Sequence, residues 1–215
     1  MTQAEFERTI NTFDAIETMR ARLYYSALDL IRERFVVEAH LLILATWNFA
    51  RFRYVIPSFD LAAYEQLLLG LIQKLRPLTS ADIGTLDLSQ HQQPIVEAFD
   101  ALAAIRGIEF TGAAKVLHLI NPWLFIPWDQ AISGWHTPKS NYERLEVVRS
   151  GFWKPPKYPF THSGDGYFDF LAYCQSRFIG FVSPDRRKTL AKCIDEFNYC
   201  TITKRMPKKQ KKKTR

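Results

Sequence analysis

The stretch Leu102–Ser133, LAAIRGIEFTGAAKVLHLINPWLFIPWDQAIS, reads as two short helices joined by a tight hairpin and followed by an aspartate. Leu102 and Ile105 lie three apart on one helical face, Gly107 interrupts the helix, Ile108 is an apolar plug, and Ala113, Val116 and Leu117 restart a helical face. A glycine at position 107 lets the chain turn with positive φ. The free N–H groups at the start of the next helix then face outward, where a phosphate fits. Thr111 is a suitable N-cap for a helix starting at Gly112. Lys115 falls in its first turn, where the helix dipole disfavours a cation by roughly a few tenths of a kcal/mol unless an anion is bound. Gly107, Thr111, Gly112 and Lys115 are therefore the candidates for gripping a DNA backbone. Glu109 stands where the hairpin pattern has a second glycine, which brings a carboxylate close to the phosphate position.

Gly107 to Ser133 resembles the helix-hairpin-helix DNA glycosylase superfamily, whose members flip a damaged or modified base out of the duplex and cut its N-glycosidic bond. The resemblance implies a two-lobed helical fold with the hairpin and Asp129 at its cleft. The helix-hairpin-helix would lie at about 93–120 and the aspartate segment at 121–135. In that superfamily a bifunctional enzyme carries a lysine inside the second helix of the motif, eighteen positions before the aspartate. Eighteen positions before Asp129 this chain has Thr111. The resemblance thus implies a monofunctional glycosylase, which leaves an abasic site without lysine-based strand cleavage, in repair or in defence against phage DNA with modified bases. The same hairpin grammar also occurs in non-catalytic DNA-binding modules, which is the alternative reading.

The chemistry asked of Asp129 is physically sound. Departure of a base builds positive charge on C1′ and the ring oxygen, and a fixed carboxylate stabilises that charge most where water is excluded. It can also orient or deprotonate the attacking water. Pro127 reads as a helix start, and a helix N-terminus favours an ionised carboxylate. Asp near a helix start is also a common stabilising choice with no catalytic meaning.

The remaining chain reads as helices. Residues 3–34 form one or two amphipathic helices, with Phe6, Ile10, Phe13 and Ile16 on one face. Phe35 to Tyr54 is apolar almost all round, as expected of a central buried helix. Its end mixes aromatics with an amide, so Trp47 and Asn48, together with Trp128, are candidates for lining a pocket that stacks and reads a flipped base. Ser58 caps a helix running to Leu75; a short turn or helix lies within 79–88, and Gln92 to Arg106 enters the hairpin. Helices are also expected from Asp129 to about Trp135, over 141–149, over Tyr167–Ile179 and over Arg187–Asn198, with an irregular loop at 151–166. Period-two alternation is rare, so the fold class is all-α.

Residues 1–203 form one helical domain, large enough to bury a core at 47% hydrophobic content. The net charge of +7 is uneven: eight of the 29 basic residues lie from Lys204 onward with no acid among them, so the body is nearly balanced against its 22 acidic residues. The 204–215 segment reads as a basic, disordered tail that attracts polyanions, double-stranded DNA first, by counterion release. No apolar run reaches the length of a membrane span and the start lacks a signal-peptide pattern, so a cytoplasmic monomer with no membrane partner is expected. Cys174, Cys193 and Cys200 are odd in number and far apart, which argues for reduced thiols. Cys193 and Cys200 show the spacing that opens an iron–sulfur loop, but a fourth cysteine is lacking, and the five histidines show no paired ligand spacing. No metal and no cofactor are expected.

Overall fold

A computed structural model describes residues 1–134 and 160–204, and every regular element among them is helical. The order is α1 (Gln3–Ile16), α2 (Thr18–Arg32), α3 (Val36–Trp47), a single turn α4 (Phe49–Phe52), α5 (Leu61–Lys74), α6 (Gln92–Ala103), α7 (Glu109–Ile120), α8 (Gly164–Arg177) and α9 (Leu190–Asn198), which runs on into a π-helical turn at Tyr199–Thr203. No described helix is long and apolar enough to cross a membrane.

Local chemistry explains most boundaries. Thr2 and Glu5 close a capping box at the start of α1, each side chain meeting the other's backbone N–H. Ser163 and Thr189 cap α8 and α9. The cap of α5 is Asp60, which accepts from Ala63 N–H, rather than Ser58, which lies in a 3₁₀ turn. Both residue types suit the position; Pro57 commits the chain around Ser58 to the 3₁₀ turn and leaves Asp60 extended at the helix entrance. The long helix expected over 35–54 ends at Trp47, where Asn48 leaves helical geometry. The helix expected over 141–149, and most of the 151–166 loop, lie outside the described residues. Residues 160–163 lead directly into α8, which starts three positions before the expected Tyr167.

α6 presents Ile95, Ala98, Phe99 and Leu102, all fully buried, to α7 and α8. Burying each large apolar side chain of this kind stabilises the fold by about 1.5–3 kcal/mol. α7 is more enclosed than α3: every residue from Gly112 to Leu119 is buried, Lys115 and His118 included. α3 is apolar all round for a different reason. It lies between two packed faces, Leu44 in the main core and Ala39 and Ile43 in a smaller cluster with Tyr24, Ala27 and Leu119.

After α7 the chain crosses the core without helix or strand from Asn121 to Asp129, and then makes a turn over 130–134. The helix start expected at Pro127 is therefore absent, because this segment is held by side chains instead of by its own ladder. Asn121 donates to the carbonyls of Leu78 and Ala81 and accepts from Trp123 N–H. His118 Nδ1 donates to Phe125 O at 2.6 Å, Tyr167 donates to Ile126 O at 3.0 Å, and Lys115 Nζ reaches Trp128 O at 3.4 Å. Buried carbonyls need such partners, since a lost hydrogen bond at each costs about 1–3 kcal/mol. With Nδ1 protonated, His118 Nε2 accepts from the Tyr24 hydroxyl at 3.0 Å, so the ring is neutral and serves both neighbours.

Burial pulls the His118 pKa down to about 3 and that of His40 down to about 4. Unfolding returns both rings to about 6.5, so the unfolded chain binds more protons between these limits. Their contribution is complete above pH 6.5 and is lost as the pH falls. Urea titrations at pH 7, 6, 5 and 4.5 should show stability dropping by up to about 1.4 kcal/mol per pH unit for each ring. Replacing His40 with Leu should halve the slope attributable to the pair. A flat profile to pH 4.5 would mean that neither ring is held neutral.

Candidate active site

The elements just described converge on one cleft. A cavity of about 350 Å³ is lined by Phe13 and Arg20 from the N-terminal helices, Trp47 from α3, Lys115 from α7, Pro127, Trp128, Asp129 and Ile132 from the core-crossing segment, and Asp195, Tyr199 and Thr203 from the C-terminal end. A second hollow of about 290 Å³ shares Trp47, Lys115, Asp129 and Thr203 and extends toward Asn48, Arg51, Phe110 and Thr111. Volumes of roughly 300–1,000 Å³ suit small-molecule sites.

Asp129 sits where the two hollows meet. Its Oδ1 accepts from the backbone N–H groups of Ala131 and Ile132 at 2.8 and 2.9 Å, and its Oδ2 accepts from the Thr203 hydroxyl at 2.8 Å. Two donors come from the turn that the aspartate itself starts, and the third from a residue 74 positions away. The carboxylate is thus fixed in direction without an ion-pair partner among the described residues, which leaves its charge available to the cleft.

Lys115 turns into the same cleft. It does not lie in a first helical turn facing outward, because α7 begins at Glu109 and not at Gly112. Its Nζ donates to Thr111 O at 2.9 Å and lies against Trp128 O. Burial lowers its pKa to about 8, with the Asp129 charge pulling the other way. At pH 7.5 roughly a quarter of such amines are neutral, against about one in a thousand for an ordinary lysine.

Thr111 is correspondingly not an N-cap. It lies inside α7, and its hydroxyl donates to Asn48 Oδ1 at 3.2 Å. Asn48 donates in turn to the carbonyls of Gly107 and Ile108 at 2.8 and 3.0 Å. Its two amide N–H groups are thus used as a staple between α3 and the α6–α7 connection, and the residue borders the second hollow. Trp128 packs among Phe99, Tyr167 and Phe170, donates its indole N–H to Phe110 O, and lines the cavity. Trp47 stacks on Tyr24 and borders both hollows.

Gly107 has φ +87° and Glu109 φ +50°, so the position that the hairpin pattern gives to a second glycine does take a left-handed conformation. A non-glycine residue pays about 1–2 kcal/mol there. The Glu109 carboxylate lies 3.4 Å from Arg51, which partly neutralises it on the outer face. Gly112 is needed for a close approach: a Cβ would stand 2.8 Å from Ile108 and 2.9 Å from the Asn48 amide.

Sequence reading did not find Asp195, Thr203, Arg20, Phe13 or Tyr199. The α9 spacing Lys192–Asp195–Glu196 looks like ordinary surface pairing at three and four residues. In the fold all three are buried: Lys192 is fully enclosed, bonded to Asp195 at 2.6 Å and ringed by Phe13, Tyr24 and Trp47 at 4.3–5.1 Å, and Lys188 joins Glu196 to Asp14. The signal that was available is the mismatch between these charges and their strongly apolar helical neighbours Ala191, Cys193, Ile194 and Phe197. The π-helical turn that follows brings Tyr199 and Thr203 to the cleft, and π-helical turns often mark functional sites.

Compared with protein-family models, with curated proteins and with solved structures, the chain matches none.

Proposed function

We propose that this chain is a monofunctional DNA glycosylase of helix-hairpin-helix type, acting on a base flipped from double-stranded DNA into the cleft. The observation that carries the reading is Asp129, a carboxylate aimed by three donors at the junction of two hollows with aromatic walls. As the base departs with the bonding electron pair and takes up a proton, positive charge develops on C1′ and the ring oxygen. Asp129 stabilises that charge and orients the water that completes the hydrolysis. The two-lobed arrangement of that superfamily, with the α6–α7 connection on the DNA backbone, belongs to the same proposal. Arg51 and the basic residues from Lys204 onward supply the electrostatic attraction.

A second reading is favoured by one observation, the Lys115 amine placed in both hollows with Asp129, where burial lowers its basicity. Its position one helical turn after Thr111 keeps it on the same side of α7, and its amine could attack C1′ directly. The base would leave with the bonding pair, and opening of the sugar ring would give an imine that borohydride reduces to a stable link.

One experiment separates these readings. DNA from cells and from phages with modified bases is incubated with the protein, released bases are identified by mass spectrometry, and strands are analysed with and without alkali and with borohydride. The first reading expects base release, strand breaks only after alkali, and no trapped complex. A borohydride-trapped complex that disappears in Lys115→Met establishes the second. Salt-dependent binding with no release from any DNA sinks both and leaves a non-catalytic DNA-binding protein.

A further inference from the structure

The cavity has a second carboxylate, and its environment differs from that of Asp129. Asp195 Oδ2 is tied to Lys192 Nζ at 2.6 Å, and Lys192 is itself enclosed by Phe13, Tyr24 and Trp47. Its Oδ1 accepts from no described group, and the residue, itself only 8% exposed, lines the cavity. A carboxylate is an acceptor only, with no donor to offer. The walls around it are aromatic, from Phe13, Trp47, Trp128 and Tyr199. A flat ring entering this space meets the Asp195 acceptor between aromatic walls, with Asp129 as the other carboxylate and Lys115 and Arg20 as the cations of the same lining.

We propose that Asp195 is the specificity-determining residue of the cavity and selects nucleobases that carry an exocyclic amino group, which donates to its free oxygen. This rests on the base-excision reading for its biological meaning. A base with a carbonyl at the same place sets two acceptors against each other at that oxygen. The cleanest comparison uses pairs that differ at one substituent: cytosine with its 4-amino group against uracil with its 4-oxo group, and adenine with its 6-amino group against hypoxanthine. Lys192 acts as a positioning residue. It fixes one carboxylate oxygen at 2.6 Å, so that the other oxygen keeps its direction.

The test is binding of the free bases cytosine, uracil, adenine and hypoxanthine to the full chain, followed by saturation-transfer NMR with titration, for wild type and Asp195→Asn. Wild type is expected to favour cytosine over uracil and adenine over hypoxanthine by at least about tenfold. In Asp195→Asn, which is isosteric and can offer a donor, both ratios should collapse toward one. Circular dichroism and the unfolding midpoint check that this variant folds. Should it fail to fold, the wild-type ratios decide alone. Equal binding within each pair, a preference for the oxo bases, or no binding of any base by wild type overturns the proposal. So does an unchanged preference in a folded Asp195→Asn. Amino-base selectivity in a protein that releases no base from DNA would sink the glycosylase reading and leave the cavity assignment standing.

Discussion

Asp129→Asn is expected to lower base release by at least about a thousandfold while leaving fold and DNA binding intact. The substitution is close to isosteric. The asparagine oxygen can still accept from Ala131 and Ile132 N–H, and its amide can donate to the Thr203 hydroxyl, which is able to act as acceptor. What disappears is the negative charge alone. Losing one directed electrostatic contact to a transition state costs about 2.7–4 kcal/mol in comparable sites, or 10²–10³ in rate, and a full charge facing a developing cation stands at or above that range. The measurement is single-turnover base release on whichever DNA the wild type attacks, with anisotropy at several salt concentrations as the binding control. An Asn variant within tenfold of wild type would remove Asp129 from the chemistry.

Gly107→Ala is expected to destabilise the chain by about 3–6 kcal/mol. The backbone there has φ +87°, and a Cβ would stand 2.2 Å from Val55 Cγ2 and 3.2 Å from two further Val55 carbons. Left-handed geometry costs an alanine about 1–2 kcal/mol, and forced overpacking adds about 1–3 kcal/mol. Relief by shifting the connection would pull Gly107 O away from the Asn48 amide, at about 1 kcal/mol. Urea unfolding measures the sum. Gly180→Ala is the control, because φ is +78° there and nothing lies within 4 Å of the added carbon, so only the backbone cost remains. Adding Val55→Ala to Gly107→Ala should recover the steric part and not the backbone part. A loss no greater than that of Gly180→Ala would contradict the packing at the connection.

The contrast between these two residues shows what a sequence displays and what it hides. Gly107 was legible as a turn because glycine between two apolar helical faces has few other uses. The start of α7 was misread by three residues because Thr111 is a good capping side chain, yet Asn48, 63 positions earlier, takes its hydroxyl instead. That shift moved Lys115 from an outward first turn to an inward second one. The helices α1, α5 and α6 follow directly from their apolar spacing. Pro127 suggested a helix because proline suits a first turn, whereas the segment around it is fixed by His118, Tyr167 and Lys115, none of which has a local signature. Asp195 and Thr203 lie 66 and 74 residues from Asp129 and meet it only through packing, so no spacing rule could place them in one cleft.

The π-helical turn at Tyr199–Thr203 has a geometric result for the residues beyond it. Thr203 is bonded to Asp129, and the next residue, Lys204, pairs with Glu17 at 2.7 Å, so Lys204, the first residue of the basic run in the sequence, directly follows a residue bonded to the cleft carboxylate. Under the proposed function, a polyanion bound by that run would meet Asp129 in an intramolecular step. The relevant quantity would then be a local concentration rather than the bulk one. Salt would weaken the capture step steeply and the subsequent insertion step hardly at all.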